Sequence, residues 1–252
     1  MCMFSARRPS GLFERLFASP VKVSDTRIYA RLEGGVQALA YQMRLSTKSE
    51  LAMVLPIPVA RGAGEDAVEF VDLAQAPHVF DQLAMCFAVP PPQSKGPVSR
   101  FQAAPAPLVV HSVGAFDASF VPTVRDFARL DARFRLPDEV WSALPRYADW
   151  GFAVFRLKTG DQRVHPMAFR FPTRDPARVF FPTVHVHDGE VHAEADFDHE
   201  LYWQGEQGAG DERGPIEASA LMESQSRGLV RAAPVRRRLM RGRYANDDVW
   251  IA

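Results

Sequence analysis

The sequence predicts an α+β protein with mainly antiparallel sheets, a helix pair between strands and two subdomains. Short apolar runs alternate with Gly, Pro and Asp, which is typical of strands joined by turns. The strands occur in runs and the helices as a pair, and this order argues against the strict β-α alternation of a parallel sheet. Residues 89–107 hold six prolines and separate two halves of the pattern, so we expect a linker or surface loop there.

The N-terminal half, residues 1–88, is expected to be a β-rich subdomain. Two apolar runs, 27–32 and 36–45, flank a Gly-Gly pair and predict a β-hairpin. Residues 50–59 predict a strand that two prolines should end or hold at a sheet edge, because proline cannot donate to a ladder. A helix at 77–87, with proline in its first turn, completes this half.

The second half, residues 108–204, is expected to be an α+β subdomain. We expect residues 108–200 to form one antiparallel sheet, covered by two short helices between Thr123 and Tyr147. Residues 205–252 are rich first in Gly, Glu and Ser and then in Arg, which predicts a flexible, Arg-rich tail.

Composition excludes several classes of protein. The 252 residues are 47% hydrophobic and 24% charged, with 30 basic and 30 acidic side chains, which is the profile of a soluble globular protein. The zero net charge argues against a protein that coats nucleic acid, and no apolar run reaches the ~20 residues that cross a membrane. Two cysteines are too few for a disulfide scaffold. The chain start shows no signal-peptide pattern, so a cytoplasmic location is expected.

Four of the seven histidines fall within residues 185–199, the most informative segment of the chain. An Asp-Gly pair lies between alternating residues there and predicts a β-hairpin with a two-residue type I′ turn. This register pairs His187 with Glu190 and His185 with His192. Paired side chains on one face of a hairpin stand ~5 Å apart at Cβ, so all four would share one face.

These four side chains, with His199 nearby, predict a mononuclear metal site. Three imidazoles and a carboxylate on one face are a common ligand set for Zn, Fe or Mn. The ion would activate a bound water, with Glu190 or Asp196 as the proton acceptor, which points to a metal-assisted hydrolase. Two alternatives remain open, a solvated sheet face without an ion and a metal-free acid/base or pH-responsive role.

Cys2 is a second candidate catalytic residue. Removal of Met1 would leave a thiol and an α-amine on one residue, which is the arrangement of an N-terminal nucleophile hydrolase. A histidine would then act as the base, and His165 near the start of a predicted strand is a candidate. A cysteine that binds metal and an incidental cysteine are the alternatives at this position.

The third hypothesis is a non-catalytic binding or structural protein. Seven arginines occur between Arg227 and Arg243, so the tail can contact an acidic partner, and a tail that is solvated or docks on its own protein is the alternative. The sequence carries neither a phosphate-binding loop nor a nucleophile elbow. The ligand is therefore unassigned, with a small molecule or a peptide as the classes considered.

Segments spread over residues 2–182 share motifs with a known group of proteins. They are Cys2-Met3-Phe4, the strand AMVLPIPV, the helix pair within 124–158, and HPMAFRF followed by VFFP. In these segments the chain resembles an uncharacterised bacterial family of unknown function, whose secreted members begin near a Cys-Gly-x-Phe segment. The chain differs from that pattern in lacking a signal sequence and in carrying the His-rich and Arg-rich segments. The resemblance implies no catalytic residue.

Overall fold

The structure, a computed structural model, describes residues 3–5, 21–88, 116–208, 210 and 214–252. The predictions for Cys2 and for the proline-rich segment 89–107 lie outside these ranges. The described chain is an α+β fold with mainly antiparallel sheets, which confirms the predicted fold class. None of its described helices is both long enough and apolar enough to cross a membrane.

Strands dominate the described chain, and the helices are short. The strands are β1 Met3–Phe4, β2 Lys22–Glu33, β3 Val36–Thr47, β4 Leu51–Ile57, β5 Glu69–Val71, β6 Phe116–Val121, β7 Gly151–Leu157, β8 Gly160–Arg163, β9 Met167–Pro172, β10 Val179–Phe181, β11 Glu194–Gln204, β12 Ile216–Glu217, β13 Pro234–Ala245 and β14 Val249–Ile251. The helices are α1 Val79–Cys86, α2 Asp138–Ala143 and α3 Ala220–Gln225, with 3-10 turns at Val124–Arg129, Ala132–Phe134 and Pro145–Tyr147.

The described strands form two large sheets and one small sheet. The four-stranded sheet has the order β1-β4-β7-β6, and β10 pairs with β14 in the small sheet. The eight-stranded sheet has the order β12-β13-β11-β2-β3-β9-β5, with β8 also pairing with β3. Among these described ladders only the pair of β11 and β2 is parallel. Both large sheets combine strands from before and after residues 89–107.

The β2–β3 hairpin is where the sequence specified the structure most directly. Its register runs from the Lys22 and Ser46 pair to the Glu33 and Val36 pair, with a bulge on the way. Gly34 and Gly35 between the strands have φ values of 58° and 76°. A turn with both central residues in the left-handed region matches the twist of the flanking strands, and glycine adopts it without steric cost.

The main core lies between the four-stranded and eight-stranded sheets. Ile28 and Leu39 of one sheet and Met53 and Phe155 of the other are fully buried in it. Burying each such side chain stabilises the fold by roughly 1.5–3 kcal/mol before conformational entropy is counted. On the outer face of the four-stranded sheet, the helical residues between 124 and 147 form a second core, as the sequence predicted for these helices.

The strands within residues 108–200 do not form one antiparallel sheet, so that prediction was wrong. β6 and β7 belong to the four-stranded sheet, whereas β9 and β11 belong to the eight-stranded sheet. The physical reason is that strand alternation encodes which face is buried and says nothing about the partner strand. β11 pairs in parallel with β2, so Leu201 lies beside Ile28 although 172 residues separate them.

Residues 214–252 are folded as α3 and β12 to β14 instead of forming a flexible tail. β13 runs antiparallel to β11, whose acidic side chains compensate its arginines. Arg243 Nε lies 2.7 Å from Glu194 Oε2, and Arg241 Nη2 lies 3.5 Å from Glu200 Oε1. The composition of this segment indicated disorder, because composition counts the arginines but does not show which acidic side chains pair with them. The Arg-rich segment is therefore docked on its own protein.

Candidate functional site

The predicted histidine hairpin does not form in the described chain. β10 ends at Phe181 and pairs with β14, and residues 182–193 are an irregular connection to β11. β11 in turn pairs with β13 and β2. The predicted pairing of His185 with His192 was therefore wrong. The Asp-Gly pair does bend the chain, since Gly189 has φ 79°. The residues of a turn, however, do not determine which strands the flanking segments pair with.

Asn246 holds the histidine-bearing connection in place. Its Oδ1 accepts the backbone N–H of His185 at 2.7 Å. Its Nδ2 donates to the carbonyl oxygens of His185 at 2.9 Å and of His192 at 3.0 Å. A segment without ladder partners needs such side-chain bonds, because a buried backbone group without a hydrogen bond costs about 1–3 kcal/mol.

Replacing Asn246 by Ala is expected to lower the free energy of unfolding by about 2–3 kcal/mol, because three backbone groups lose their partner. Urea unfolding measures the loss. Asn246→Asp keeps the acceptor but sets a charged oxygen against the carbonyl oxygens of His185 and His192, so its loss at pH 7 should be at least as large as that of the Ala variant. A loss below about 0.5 kcal/mol for the Ala variant would show that the connection is held by other contacts.

Asp248 is the second anchor of this connection. Its carboxylate accepts the backbone N–H of Thr183 at 2.9 Å and the hydroxyl of Tyr147 at 2.6 Å. Burial raises the pKa of Asp248 to about 6, although the hydrogen bonds from Tyr147 and Thr183 lower it. Burial also raises the pKa of Tyr147 well above its ordinary value, so the phenol stays protonated and donates. The C-terminal end of the chain thus positions the histidines.

Strand β1 approaches the same connection from the other side. Met3 forms a parallel bridge with Val186, and the backbone N–H of Phe4 donates to the carbonyl oxygen of Val186 at 3.0 Å. The ring of Phe4 contacts that of His187, with centroids 5.5 Å apart. The residue after Cys2 therefore pairs with the residue between His185 and His187.

Three histidine rings and one phenylalanine ring form a stack, which we call the histidine stack. The His185 ring lies nearly parallel to those of His187 and His199, with centroids 5.5 Å and 5.3 Å away. It also stacks on Phe197, 4.4 Å away. Phe197 and His199 are neighbours on one face of β11, since residues two apart in a strand point the same way.

The imidazoles of this stack are neutral at neutral pH. Burial lowers the pKa of His185 to about 2 and that of His187 to about 4, the latter despite the nearby Asp188 carboxylate. Burial also holds the pKa of His199 well below its ordinary range. His185 is 7% exposed, and its Nε2 atom, like that of His187, is buried without a hydrogen-bond partner in the described part of the chain.

A cleft of about 470 Å³ opens beside this stack at the start of β11, and we call it the histidine cleft. Its lining joins imidazoles, an aromatic ring and carboxylates and includes no lysine or arginine of the described chain. Its imidazoles belong to His185, His187 and His192, and its carboxylates to Asp188, Glu194, Asp196 and Asp198. Imidazole rings and acidic groups thus converge on one concave surface.

The structure brings some of the predicted site residues together and separates others. His185, His187 and His199 meet in the stack. His192 turns to Asp188, with Nε2 and Oδ2 2.9 Å apart, and Glu190 is exposed and does not line the cleft. His165 lies in the connection between β8 and β9 and does not line the cleft either.

The described residues show no preassembled group of metal ligands. Among the residues that the structure describes, no group of three or more His, Cys, Asp or Glu side chains is placed to hold a metal ion. The rings of His185, His187 and His199 stack face to face, whereas ligands of one ion converge on a point. A Zn, Fe or Mn site stays a prediction, and so does a catalytic role for Cys2, which lies outside the described residues.

Sequence reasoning missed the residues that build the site around the histidines. Phe197, Asn246 and Asp248 were not singled out as candidate site residues. A sequence signal exists for Phe197, because it alternates with Asp196 and Asp198 on a strand and shares the face of His199. Asn246 offers none, because its role depends on a backbone 61 residues away.

Comparisons with known proteins give a few structural matches. No protein-family model and no curated protein matches this chain. The crystal structure of baculovirus P35 matches at 12% identity, with 92% of this chain and 96% of that chain covered and a TM-score of 0.49. P35 in the caspase-8/P35 complex matches at 13% identity, with coverages of 90% and 95% and a TM-score of 0.48. Likeness at this level assigns neither a partner nor an activity to this chain.

Proposed function

We propose that this chain is a non-catalytic binding protein whose histidine cleft receives an arginine side chain of a partner polypeptide. The observation that carries the proposal is the lining of the cleft, which places four carboxylates and three imidazoles around one cavity, with no lysine or arginine among its described lining residues. Charge complementarity then selects a cationic group.

The carboxylates of the cleft are only partly neutralised by the protein itself. Glu194 pairs with Arg243, and Asp188 pairs with His192. Asp196 has no ion-pair partner among the described residues. Asp198 accepts the backbone N–H of Asp25 at 2.7 Å, and its Oδ1 lies 3.7 Å from Nδ1 of His199 without a hydrogen bond from the described residues. The exposed Asp196 is therefore a carboxylate of the cleft that no described cation compensates.

The rings favour a guanidinium over other cations. A planar guanidinium stacks on an aromatic face and donates in a fixed fork that matches a carboxylate. The half-buried His187 ring and the almost fully buried rings of Phe197 and His185 line the cleft, and the neutral imidazoles of His185 and His187 do not repel a cation at pH 7.

The other two hypotheses remain predictions beside this one. A metal-assisted hydrolase requires ligands that converge, and the described imidazoles are stacked instead. A thiol hydrolase requires Cys2, whose neighbour Met3 lies beside the histidine connection. The metal content of purified protein and the activity of a Cys2→Ser variant test these two directly.

Binding of a labelled arginine hexapeptide tests the proposed function. Fluorescence anisotropy is expected to show saturable binding at pH 7 that weakens with added salt, while a glutamate hexapeptide does not bind. Asp196→Asn is expected to weaken binding about tenfold, because a charge-assisted bond is worth roughly 1.5–3 kcal/mol. The matched control Glu217→Gln, an exposed acid on β12, should leave binding unchanged. Equal loss in both variants, or no binding, would contradict the proposal.

A further inference from the structure

A second cleft, far from the histidines in sequence, lies against the helices that cover the four-stranded sheet. Its volume is about 800 Å³, within the range of small-molecule sites. It lies between the loop after β4, the turn after β6 and the helical residues 141–149. We call it the tryptophan cleft, because the half-buried Trp141 contributes the only aromatic ring among its described lining residues.

The wall of this cleft is apolar and fixed in place. The ring centroid of Trp141 lies 4.9 Å from that of Phe127 and 5.0 Å from that of Phe152. These two rings therefore fix the position of the indole. Val59 and Leu144 also line the cleft. An aromatic pair adds about 0.5–1.5 kcal/mol beyond area burial, so an aromatic ligand gains most from this wall.

The charged residues at this cleft carry an excess of positive charge. Arg61 Nε lies 3.2 Å from Asp149 Oδ2, and Arg174 Nη1 lies 2.9 Å from Asp149 Oδ1, so two guanidiniums share one carboxylate. Arg125 also lines the cleft, and no carboxylate of the described chain lies within ion-pair distance of it. The carboxylate of the neighbouring Asp126 accepts a hydrogen bond from the Thr123 hydroxyl at 2.8 Å.

We propose that the tryptophan cleft binds a small aromatic carboxylate. The ring of the ligand lies against Trp141, and its carboxylate pairs with Arg125 and the partly compensated Arg61. The apolar wall supplies affinity for the body of the ligand, and the arginines select an anion over a neutral or cationic analogue. This site is independent of the histidine cleft.

Three probes with one body and different charges test the proposal on the full chain. They are 2-naphthoate, 2-naphthalenemethanol and 2-naphthylmethylamine, each titrated by calorimetry at pH 7. We expect 2-naphthoate to bind at least tenfold more tightly than the alcohol, which corresponds to about 1.4 kcal/mol, and the amine to bind most weakly. Equal binding of all three, or no binding of 2-naphthoate, would overturn the proposal.

Substitutions locate the binding. Arg125→Gln is expected to weaken 2-naphthoate binding about five- to tenfold and to leave the alcohol unchanged. The matched control is Arg133→Gln, which removes an exposed arginine that pairs with Asp131 and does not line the cleft. Trp141→Leu should weaken both probes, with circular dichroism verifying the fold. If Arg125→Gln binds 2-naphthoate like the wild type, the ligand sits elsewhere and the proposal fails.

Discussion

Lowering the pH from 7 to 5 is expected to reduce the free energy of unfolding by about 4 kcal/mol through His185 and His187 alone. In the unfolded chain both titrate near their ordinary pKa of 6.5, whereas in the folded chain burial holds their pKa values at about 2 and about 4. Below pH 6.5 the two imidazoles therefore become protonated in the unfolded chain and stay neutral in the folded chain. Stability is full above 6.5 and falls as the pH drops, and His199 acts in the same direction.

Asp248 opposes this trend. Because burial raises its pKa to about 6 from an ordinary 3.8, the folded chain keeps a proton that the unfolded chain has released. Its contribution to stability is full below pH 3.8 and is lost as the pH rises through 6. Between pH 7 and 5 it offsets about 1 kcal/mol of the loss caused by the histidines.

Urea unfolding at pH 7, 6 and 5 measures the net effect. Asp248→Asn removes the offset and should steepen the loss. His185→Phe keeps a ring in the stack and should reduce the average slope between pH 7 and 5 by about 1 kcal/mol per pH unit. A wild-type free energy of unfolding that is the same at pH 7 and pH 5, with the same result for Asp248→Asn, would contradict the assignment of neutral, buried imidazoles.

Replacing Phe197 by Ala is expected to cost about 3–5 kcal/mol in the free energy of unfolding. The side chain is 3% exposed, and its ring contacts His185 at 4.4 Å, His199 at 4.8 Å and Tyr244 at 5.4 Å. Its removal leaves a cavity under the histidine stack. Urea unfolding at pH 7.5, where the histidines do not titrate, isolates this packing effect.

Phe197→Leu separates packing from the aromatic surface. It refills most of the volume, so its stability loss should be about 1–2 kcal/mol. It lacks the aromatic face, so it should still bind the arginine hexapeptide more weakly than the wild type. A loss below about 1 kcal/mol for Phe197→Ala would show that the ring does not support the stack.

Local patterns in the sequence predicted local structure, and the β2–β3 hairpin shows why. Its turn and both strands are contiguous, so the glycines at 34 and 35 specify the register almost alone. The α+β class was predicted in the same way, from the order of the local strand and helix patterns. The Asp-Gly pair at 188 and 189 gave an equally local signal, but β10 and β11 pair with strands from other parts of the chain.

The candidate site required contacts that no local pattern encodes. His185 and His199 meet because the connection 182–193 folds back onto β11, and Asn246 fixes that path through bonds to backbone atoms. Spacing identified the histidines as a group but assigned them to ligation instead of stacking. The carboxylates of the cleft were visible in the sequence, and their role as its lining depended on the same fold.

Imidazole nitrogen resonances in histidine-labelled protein test the central claim most directly. Titration with the arginine hexapeptide at pH 7 is expected to shift the Nε2 signals of His185 and His187 saturably, while the exposed His78, far from the cleft, stays constant. Asp196→Asn should raise the peptide concentration needed for half of that shift about tenfold. Unchanged His185 and His187 signals at saturating peptide, or a shift confined to His78, would contradict the binding of an arginine in the histidine cleft.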